Sequence, residues 1–148
     1  MTTRRHFLQS TGLALGATAF SSPSSFAAAL GEGKTVLLEC AWAVKNIGDI
    51  GHTPGTLRFL EDYLPGAKVI LWAHNAPKPV ETMLLNRFPK LEIVRGSLSE
   101  KDGPVQKAIA RSDFFLRGPG MGQSTGFMKY CRSVGKPYGF QGQSYFPD

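Results

Sequence analysis

Short apolar runs alternate with longer amphipathic segments along most of the chain. Each run is four to six residues long, the length typical of a strand buried on both faces of a sheet. Five runs predict five strands, at Thr35–Cys40, Ala67–Trp72, Leu91–Val94, Asp113–Arg117 and Pro137–Gln141. The last run begins with proline, which suits the first residue of a strand.

The segments between these runs carry apolar residues at helical spacing and end near proline or glycine. Thr53 is expected to cap the first helix, with Pro54 at its first position. Its apolar face is expected to consist of Leu57, Leu60, Tyr63 and Leu64. The other helices are predicted at Val80–Phe88, Pro104–Arg111 and Ser124–Val134. Their apolar sides include Met83, Leu84 and Phe88 in the second helix and Val105, Ala108 and Ile109 in the third.

Strands that alternate with helices through short connections predict one α/β unit. Its sheet is expected to be parallel and Rossmann-like, with helices on both faces. Ligands of such sheets bind at the carboxyl ends of the strands, near the point where the strand order reverses. We therefore expect the functional residues in the loops that follow the strands.

The first 29 residues have a different pattern, typical of an export signal. Arg4-Arg5 precedes a weakly apolar run of about ten residues, too short to span a bilayer, and Ala27-x-Ala29 supplies a cleavage site. The arginine pair resembles a twin-arginine signal. Its translocase would deliver the domain of residues 30–148 to the periplasm or cell envelope. The alternatives are an amphipathic or anchoring N-terminus, or a cytoplasmic protein whose signal is not used.

The composition, 42% hydrophobic and 19% charged, is that of an ordinary one-domain globular chain. Seventeen basic and eleven acidic residues give a net charge of +6, and loss of Arg4 and Arg5 leaves fifteen basic residues and +4. The basic residues are scattered, which argues against nucleic acid as a partner. Two cysteines and three histidines without metal-ligand spacing predict neither a metal nor another cofactor. Whether Cys40 and Cys131 form a disulfide is left open.

The loop after the first strand, residues 45–53, is the first candidate site. Gly48 and Gly51 allow a tight turn, and free N–H groups at a helix start can bind an anion or a sugar hydroxyl. Asp49 can accept a proton from a hydroxyl, and His52 can shuttle one. The alternative is that Asp49 only caps the helix and His52 is solvated.

Two further loops follow the fourth and fifth strands. Residues 117–124 form a second glycine-rich turn that opens a helix, but it has neither a dinucleotide fingerprint nor the lysine of a P-loop. It is interpreted as a close backbone approach to a ligand, or as a purely structural turn. Residues 142–147 include Ser144, which is not in the strand-turn-helix motif of a hydrolase nucleophile.

These loops together resemble the polysaccharide pyruvyl transferase family. The motif residues are Asn46-Ile47-Gly48-Asp49, Arg117-Gly118-Pro119-Gly120 after the Ser112-Asp113 strand, Gly135-Lys136-Pro137, Gly142-Gln143-Ser144 and Pro147. Members of this family resemble two-domain GT-B glycosyltransferases and transfer a pyruvyl group from phosphoenolpyruvate to a sugar as a ketal. The likeness covers most of residues 30–148.

The resemblance implies roles for individual residues. Asn46, Gly48 and Asp49 would occupy the first glycine turn of the family, Gly118 and Gly120 the second, and Gln143 and Pro147 the end of the fifth strand. With His52 from the reading of the first loop, the ligand-binding residues would be Asn46, Gly48, His52, Gly118, Gly120 and Gln143, and Asp49 would be the catalytic base. The partners would be a glycan acceptor and phosphoenolpyruvate, the latter held by a complementary second half that has no counterpart in this sequence. The chain is therefore expected to be a fragment or split subunit that does not catalyse by itself.

Export conflicts with this resemblance, because phosphoenolpyruvate is a cytoplasmic metabolite. Either the acceptor or donor differs, or the activity has been lost. An alternative from another class is a non-catalytic Rossmann-like module that binds a nucleotide or an anion. A third possibility is a poorly folding remnant that leaves Phe114, Phe115, Phe127 and Phe146 partly exposed.

Overall fold

A computed structural model describes residues 32–40, 47–118, 120–121 and 125–144. The predicted export signal and Phe146 lie outside the described residues. The strands are β1 Thr35–Glu39, β2 Lys68–Trp72, β3 Glu92–Val94, β4 Phe114–Arg117, β5 Gly120–Met121, β6 Tyr138–Phe140 and β7 Gln143–Ser144. The helices are α1 Ile47–Tyr63, α2 Lys78–Arg87, α3 Pro104–Arg111 and α4 Thr125–Ser133.

Five strands form one parallel sheet in the order β3-β2-β1-β4-β6. The chain builds outward from β1 through β2 to β3, then crosses to the other side of β1 with β4 and β6. The strand order therefore reverses between β1 and β4. The two shortest strands, β5 and β7, pair in parallel as a separate two-stranded sheet.

The two faces of the sheet carry separate hydrophobic cores, because alternate residues of each buried strand point in opposite directions. Leu38 and Leu71 pack with Leu57 and Leu60 of α1 and Leu84 of α2. The other core joins central-strand side chains to α3 and α4. Its members include Leu37, Ile70, Phe115, Val105, Ile109 and Phe127. The predicted α/β Rossmann-like class, with helices on both faces, is confirmed.

The first helix departs from its predicted start. It begins at Ile47, so Gly48, Gly51 and Thr53 lie within it rather than in a loop, and Pro54 is internal. Proline lacks the N–H that would bond the carbonyl four residues earlier, so one hydrogen bond is lost. Thr53 is completely buried and is not an N-cap. Among the residues before Pro54 whose burial is described, Thr53 is buried, whereas Ile47 is 87% exposed.

Most other element bounds differ from the predicted ones by one or two residues. The bounds of α3 are those predicted, and Val105, Ala108 and Ile109 are buried. Tyr63 and Met83 were expected on apolar faces, but they are 60% and 50% exposed. Both expectations were wrong because these residues lie at the margin of their helix face, where the sheet does not cover them.

Two residue types bear on the alternatives left open by the sequence. Cys40 and Cys131 are both free thiols, and they belong to the cores on opposite faces of the sheet, which separates them. Phe115 and Phe127 are buried, and Phe114 is half-buried.

Within the described residues, no helix combines the length and apolar content needed to cross a bilayer.

The end of the sheet at which the strands begin, the amino edge, has paired charges. Asp113 Oδ2 accepts a hydrogen bond of 2.8 Å from the Thr35 N–H, and Lys34 Nζ lies 3.6 Å from its other oxygen. Arg111 donates to both carboxylate oxygens of Glu92. These groups are about half exposed, so the pairs are solvated as well as matched.

Candidate functional site

The carboxyl edge, where the strands end, brings three side chains into line. Glu39 of β1 is in register with Trp72 of β2 on one side and with Arg117 of β4 on the other. Each lies two residues after a residue of the core beneath α3 and α4, so all three point toward that face. Glu39 and Arg117 therefore flank the reversal of strand order, where open α/β sheets bind their ligands.

The Glu39 carboxylate is shared between two partners and remains incompletely satisfied. Its Oε1 lies 2.9 Å from Nε2 of His74, two residues beyond the end of β2. Its Oε2 lies 3.9 Å from Nε of Arg117, an ion pair too long to be a hydrogen bond. Oε2 is buried and accepts no hydrogen bond. A buried acceptor without a donor is costly, so this oxygen is suited to a group that is added on binding.

Arg117 is the second incompletely satisfied group. Its side chain is 19% exposed, and its guanidinium lies over the Phe127 ring, 5.2 Å from the centroid. Within the described part of the chain it donates no hydrogen bond to protein. The Glu39–His74–Arg117 cluster thus combines an unsatisfied acceptor with unused donors.

Two contacts fix the surroundings of this cluster. The His74 ring lies 4.2 Å from the Trp72 ring, centroid to centroid. Trp72 Nε1 donates to the Gly96 carbonyl at 3.1 Å, which ties the loop after β3 to β2. Arg95 in that loop bonds Glu81 of α2 at 2.9 Å. His74 is therefore held by its neighbours, while 39% of its side chain remains exposed.

On the opposite face of the carboxyl edge, Gly118 allows a close approach of β1 and β4. Its N–H donates to the Glu39 carbonyl at 2.6 Å, and a Cβ at this position would overlap the Cys40 sulfur. Burial raises the pKa of the Cys40 thiol to about 11, which the nearby Thr53 hydroxyl opposes and the Glu39 charge favours. The Thr53 hydroxyl nevertheless makes no hydrogen bond of normal geometry. Cys40 is therefore a protonated packing residue at neutral pH.

The predicted residues of the first loop lie in or just before α1. Gly48 and Asp49 are in its first turn, and His52 is exposed one turn later. Asn46 lies outside the described residues, as does the side chain of Asp49. The role of Asp49 as a base therefore stays a prediction.

The structure brings together the other two predicted loops. Gly120 in β5 is in register with Gln143 in β7, and Met121 with Ser144. Gly118 directly follows β4 and is buried. Residues 120–121 and 143–144 thus form one paired unit, whose strands follow β4 and β6 along the chain.

Sequence reasoning missed Glu39 and His74, and it treated Arg117 only as the start of a glycine-rich turn. A usable signal was present. Two otherwise apolar strands, TVLLE and FFLR, each end in a charged residue, and the two charges are opposite. A charge at the end of a buried strand has to be paired, solvated or used by a ligand.

Neither the fold nor the site places the chain beside a known relative. Compared with known protein families, with curated protein sequences and with solved structures, the chain matches none. In the parts of the chain that are described, no three His, Cys, Asp or Glu side chains form a group able to hold a metal ion.

Proposed function

We propose that this chain binds a glycan acceptor at the carboxyl edge of its sheet, as one half of an enzyme similar to the polysaccharide pyruvyl transferases. The observation that carries the proposal is the position of two motifs. Residues 47–49 of the first motif lie in the first turn of α1, the helix that follows β1, and the second motif begins at Arg117, the last residue of β4. These are the two central strands between which the strand order reverses.

The chemistry of pyruvyl transfer defines what an acceptor half must do. Two sugar hydroxyls form bonds to carbon 2 of phosphoenolpyruvate, whose bond to the phosphate oxygen breaks. One hydroxyl proton goes to carbon 3, making it a methyl group, and the other leaves with inorganic phosphate. The acceptor half must therefore hold two adjacent hydroxyls and provide a group that accepts a proton.

This chain has residues of suitable type for both tasks. Asp49 in the first turn of α1 is the proposed base, and His52 lies three residues later, one turn along the same helix. Glu39 and His74 supply hydrogen-bonding groups at the edge of the sheet. By the same resemblance, phosphoenolpyruvate would be held by a second Rossmann-like half, so binding rather than turnover is the appropriate measurement for this chain. Export by the twin-arginine translocase is part of the proposal and would place the acceptor in the cell envelope.

Isothermal titration calorimetry of the full chain tests the proposal. The probes are galactobiose as a neutral disaccharide, phosphoenolpyruvate and ATP. We expect galactobiose to bind and ATP not to bind. Binding of ATP without galactobiose would instead identify a nucleotide-binding module and contradict the proposal.

The assignment of Asp49 is tested separately with Asp49→Asn. We expect weaker galactobiose binding, because a carboxylate accepts a stronger hydrogen bond from a hydroxyl than an amide does. Asp62→Asn is the matched control, since Asp62 lies in the last turn of the same helix and is paired with Arg58 at 2.8 Å. Equal affinities for wild type and Asp49→Asn would refute the base assignment.

A further inference from the structure

The guanidinium of Arg117 differs from those of the other arginines that the structure describes. Each of the others donates a hydrogen bond to a side chain or carbonyl; they are Arg58, Arg87, Arg95, Arg111 and Arg132. Four of them are 47–59% exposed, whereas Arg117 is 19% exposed. The guanidinium with the least access to water is thus the one without a hydrogen bond to protein. Such a group is normally satisfied.

The surroundings of Arg117 define the partner that would satisfy it. Phe127 covers one side of the guanidinium, and Glu39 Oε2 lies 3.9 Å from Nε. No hydrogen bond within the described residues engages the two terminal nitrogens. A planar fork of N–H donors held against an aromatic ring matches the two oxygens of a carboxylate.

The neighbouring charges favour a singly charged ligand. The Glu39 carboxylate would repel an anion bound to Arg117, and the repulsion grows with the charge of that anion. His74, 2.9 Å from the other Glu39 oxygen, offsets this only when it is protonated. A sugar carboxylate carries one negative charge, whereas a nucleotide polyphosphate carries several.

We propose that Arg117 binds the carboxylate of an acidic saccharide, a uronic acid residue, at the reversal of strand order between β1 and β4. The hydroxyls of the same sugar ring then lie next to the free Glu39 oxygen, which accepts a hydrogen bond from one of them. The inference rests on the proposed glycan-binding function and specifies its substrate class. Arg117 would be the residue that discriminates acidic from neutral glycans.

Calorimetry of the full chain with a matched pair of disaccharides tests this assignment. Digalacturonate and galactobiose of the same linkage differ only at carbon 6 of each ring, which is a carboxylate in the first and a hydroxymethyl group in the second. We expect digalacturonate to bind about tenfold more tightly or better, the effect of a charge-assisted bidentate contact. The Arg117→Gln variant should lose this preference, so that it binds the two disaccharides with similar affinity. Arg117→Lys retains the charge without the fork and should keep only part of the preference.

The control variant is Arg111→Gln, which removes an arginine about half exposed at the amino edge. It should leave the preference intact, and an equal loss in this variant would overturn the proposal in favour of general charge attraction. Thermal unfolding followed by circular dichroism confirms that each variant is folded.

The remaining outcomes separate this inference from the proposed function. Equal binding of the two disaccharides overturns the role of Arg117 and leaves glycan binding standing. Failure of both to bind overturns both proposals. Binding of phosphoenolpyruvate that depends on Arg117, without a preference for digalacturonate, assigns the carboxylate site to the donor and overturns the inference.

Discussion

The two edges of the sheet differ in how far their charged side chains are buried and how closely they are paired. At the amino edge, Asp113, Glu92 and Arg111 are about half exposed and their charged atoms are paired at hydrogen-bond distance. At the carboxyl edge, Glu39 and Arg117 are more than four-fifths buried and approach no closer than 3.9 Å. Matched, solvated charges are what stability alone requires. The buried and incompletely matched charges are the observation on which the proposed site at the carboxyl edge rests.

The largest effect is expected where the backbone of the carboxyl edge is packed most tightly. Gly118→Ala forces a Cβ into the Cys40 sulfur and to 3.0 Å from the Glu39 carbonyl oxygen. We expect the free energy of unfolding to fall by about 3 kcal/mol, as for other overpacked sites. Urea unfolding followed by circular dichroism measures the change.

The control for this substitution is Gly126→Ala in α4, where a Cβ has nothing within 4 Å. It should change the free energy of unfolding by less than about 1 kcal/mol, and in the stabilising direction, because alanine favours a helix. Cys40→Ala combined with Gly118→Ala should recover part of the loss, since it removes the sulfur. If Gly118→Ala proves as stable as Gly126→Ala, the close approach of β1 and β4 is wrong.

A second pair of variants tests whether removing a pair of opposite charges raises the free energy of unfolding at the carboxyl edge and lowers it at the amino edge. The double substitution Glu39→Gln with Arg117→Met removes both buried charges, and we expect it to raise the free energy of unfolding by about 1–3 kcal/mol. The corresponding substitution at the amino edge, Glu92→Gln with Arg111→Met, should lower it by less than about 1 kcal/mol.

Urea unfolding at neutral pH measures both variants. A carboxyl-edge variant that loses more stability than its amino-edge counterpart would contradict the distinction, because the buried pair would then be structural. Arg117→Met alone should be less stable than the double variant, since it leaves the Glu39 charge buried with only His74 beside it.

The smallest effect is expected from pH at the amino edge. The hydrogen bond from the Thr35 N–H, aided by Lys34 and Lys136, holds the pKa of Asp113 below its ordinary value of 3.8. A depressed pKa in the folded state stabilises the protein above the pKa of the unfolded state, and this contribution is lost as pH falls through the folded value. Stability should therefore decline below about pH 4.

Asp113→Asn should reduce the acid-dependent part of this decline, because its amide does not titrate. The measurement is urea unfolding at a series of pH values between about 5 and 2, with Asp62→Asn as the control for loss of an exposed acid. An unchanged pH dependence in Asp113→Asn would show that the pairing at the amino edge adds nothing measurable.

The fold was predictable because local and long-range preferences agree in most elements. Pro104 starts α3 and the Ile109 and Val105 side chains lie on its buried face, so the sequence predicts both ends of that helix. Local and long-range preferences disagree at Thr53-Pro54, where the local signal is that of a helix start. There the helix begins seven residues earlier than predicted, at Ile47, and Thr53 is buried within it.

The site was predictable in location but not in composition. Parallel strands interrupted by helices predict functional residues at the carboxyl ends of the strands. Glu39 and Arg117 are the last residues of β1 and β4, and His74 comes two residues after β2. Their meeting depends on β4 lying next to β1, a pairing between residues about 78 positions apart. Periodicity reports local structure only and carries no information on such a neighbour.

The crossing from β3 back to β4 has a consequence for how the molecule folds. β1 is made first, and β2 can pair with one of its sides soon afterwards, but its other side has no partner until β4 is available. The acceptor of the Thr35 N–H is Asp113, which lies 78 residues later in the chain. A nascent chain therefore keeps the open side of its central strand unpaired until Arg117 has emerged from the ribosome, and contacts this distant in sequence slow folding.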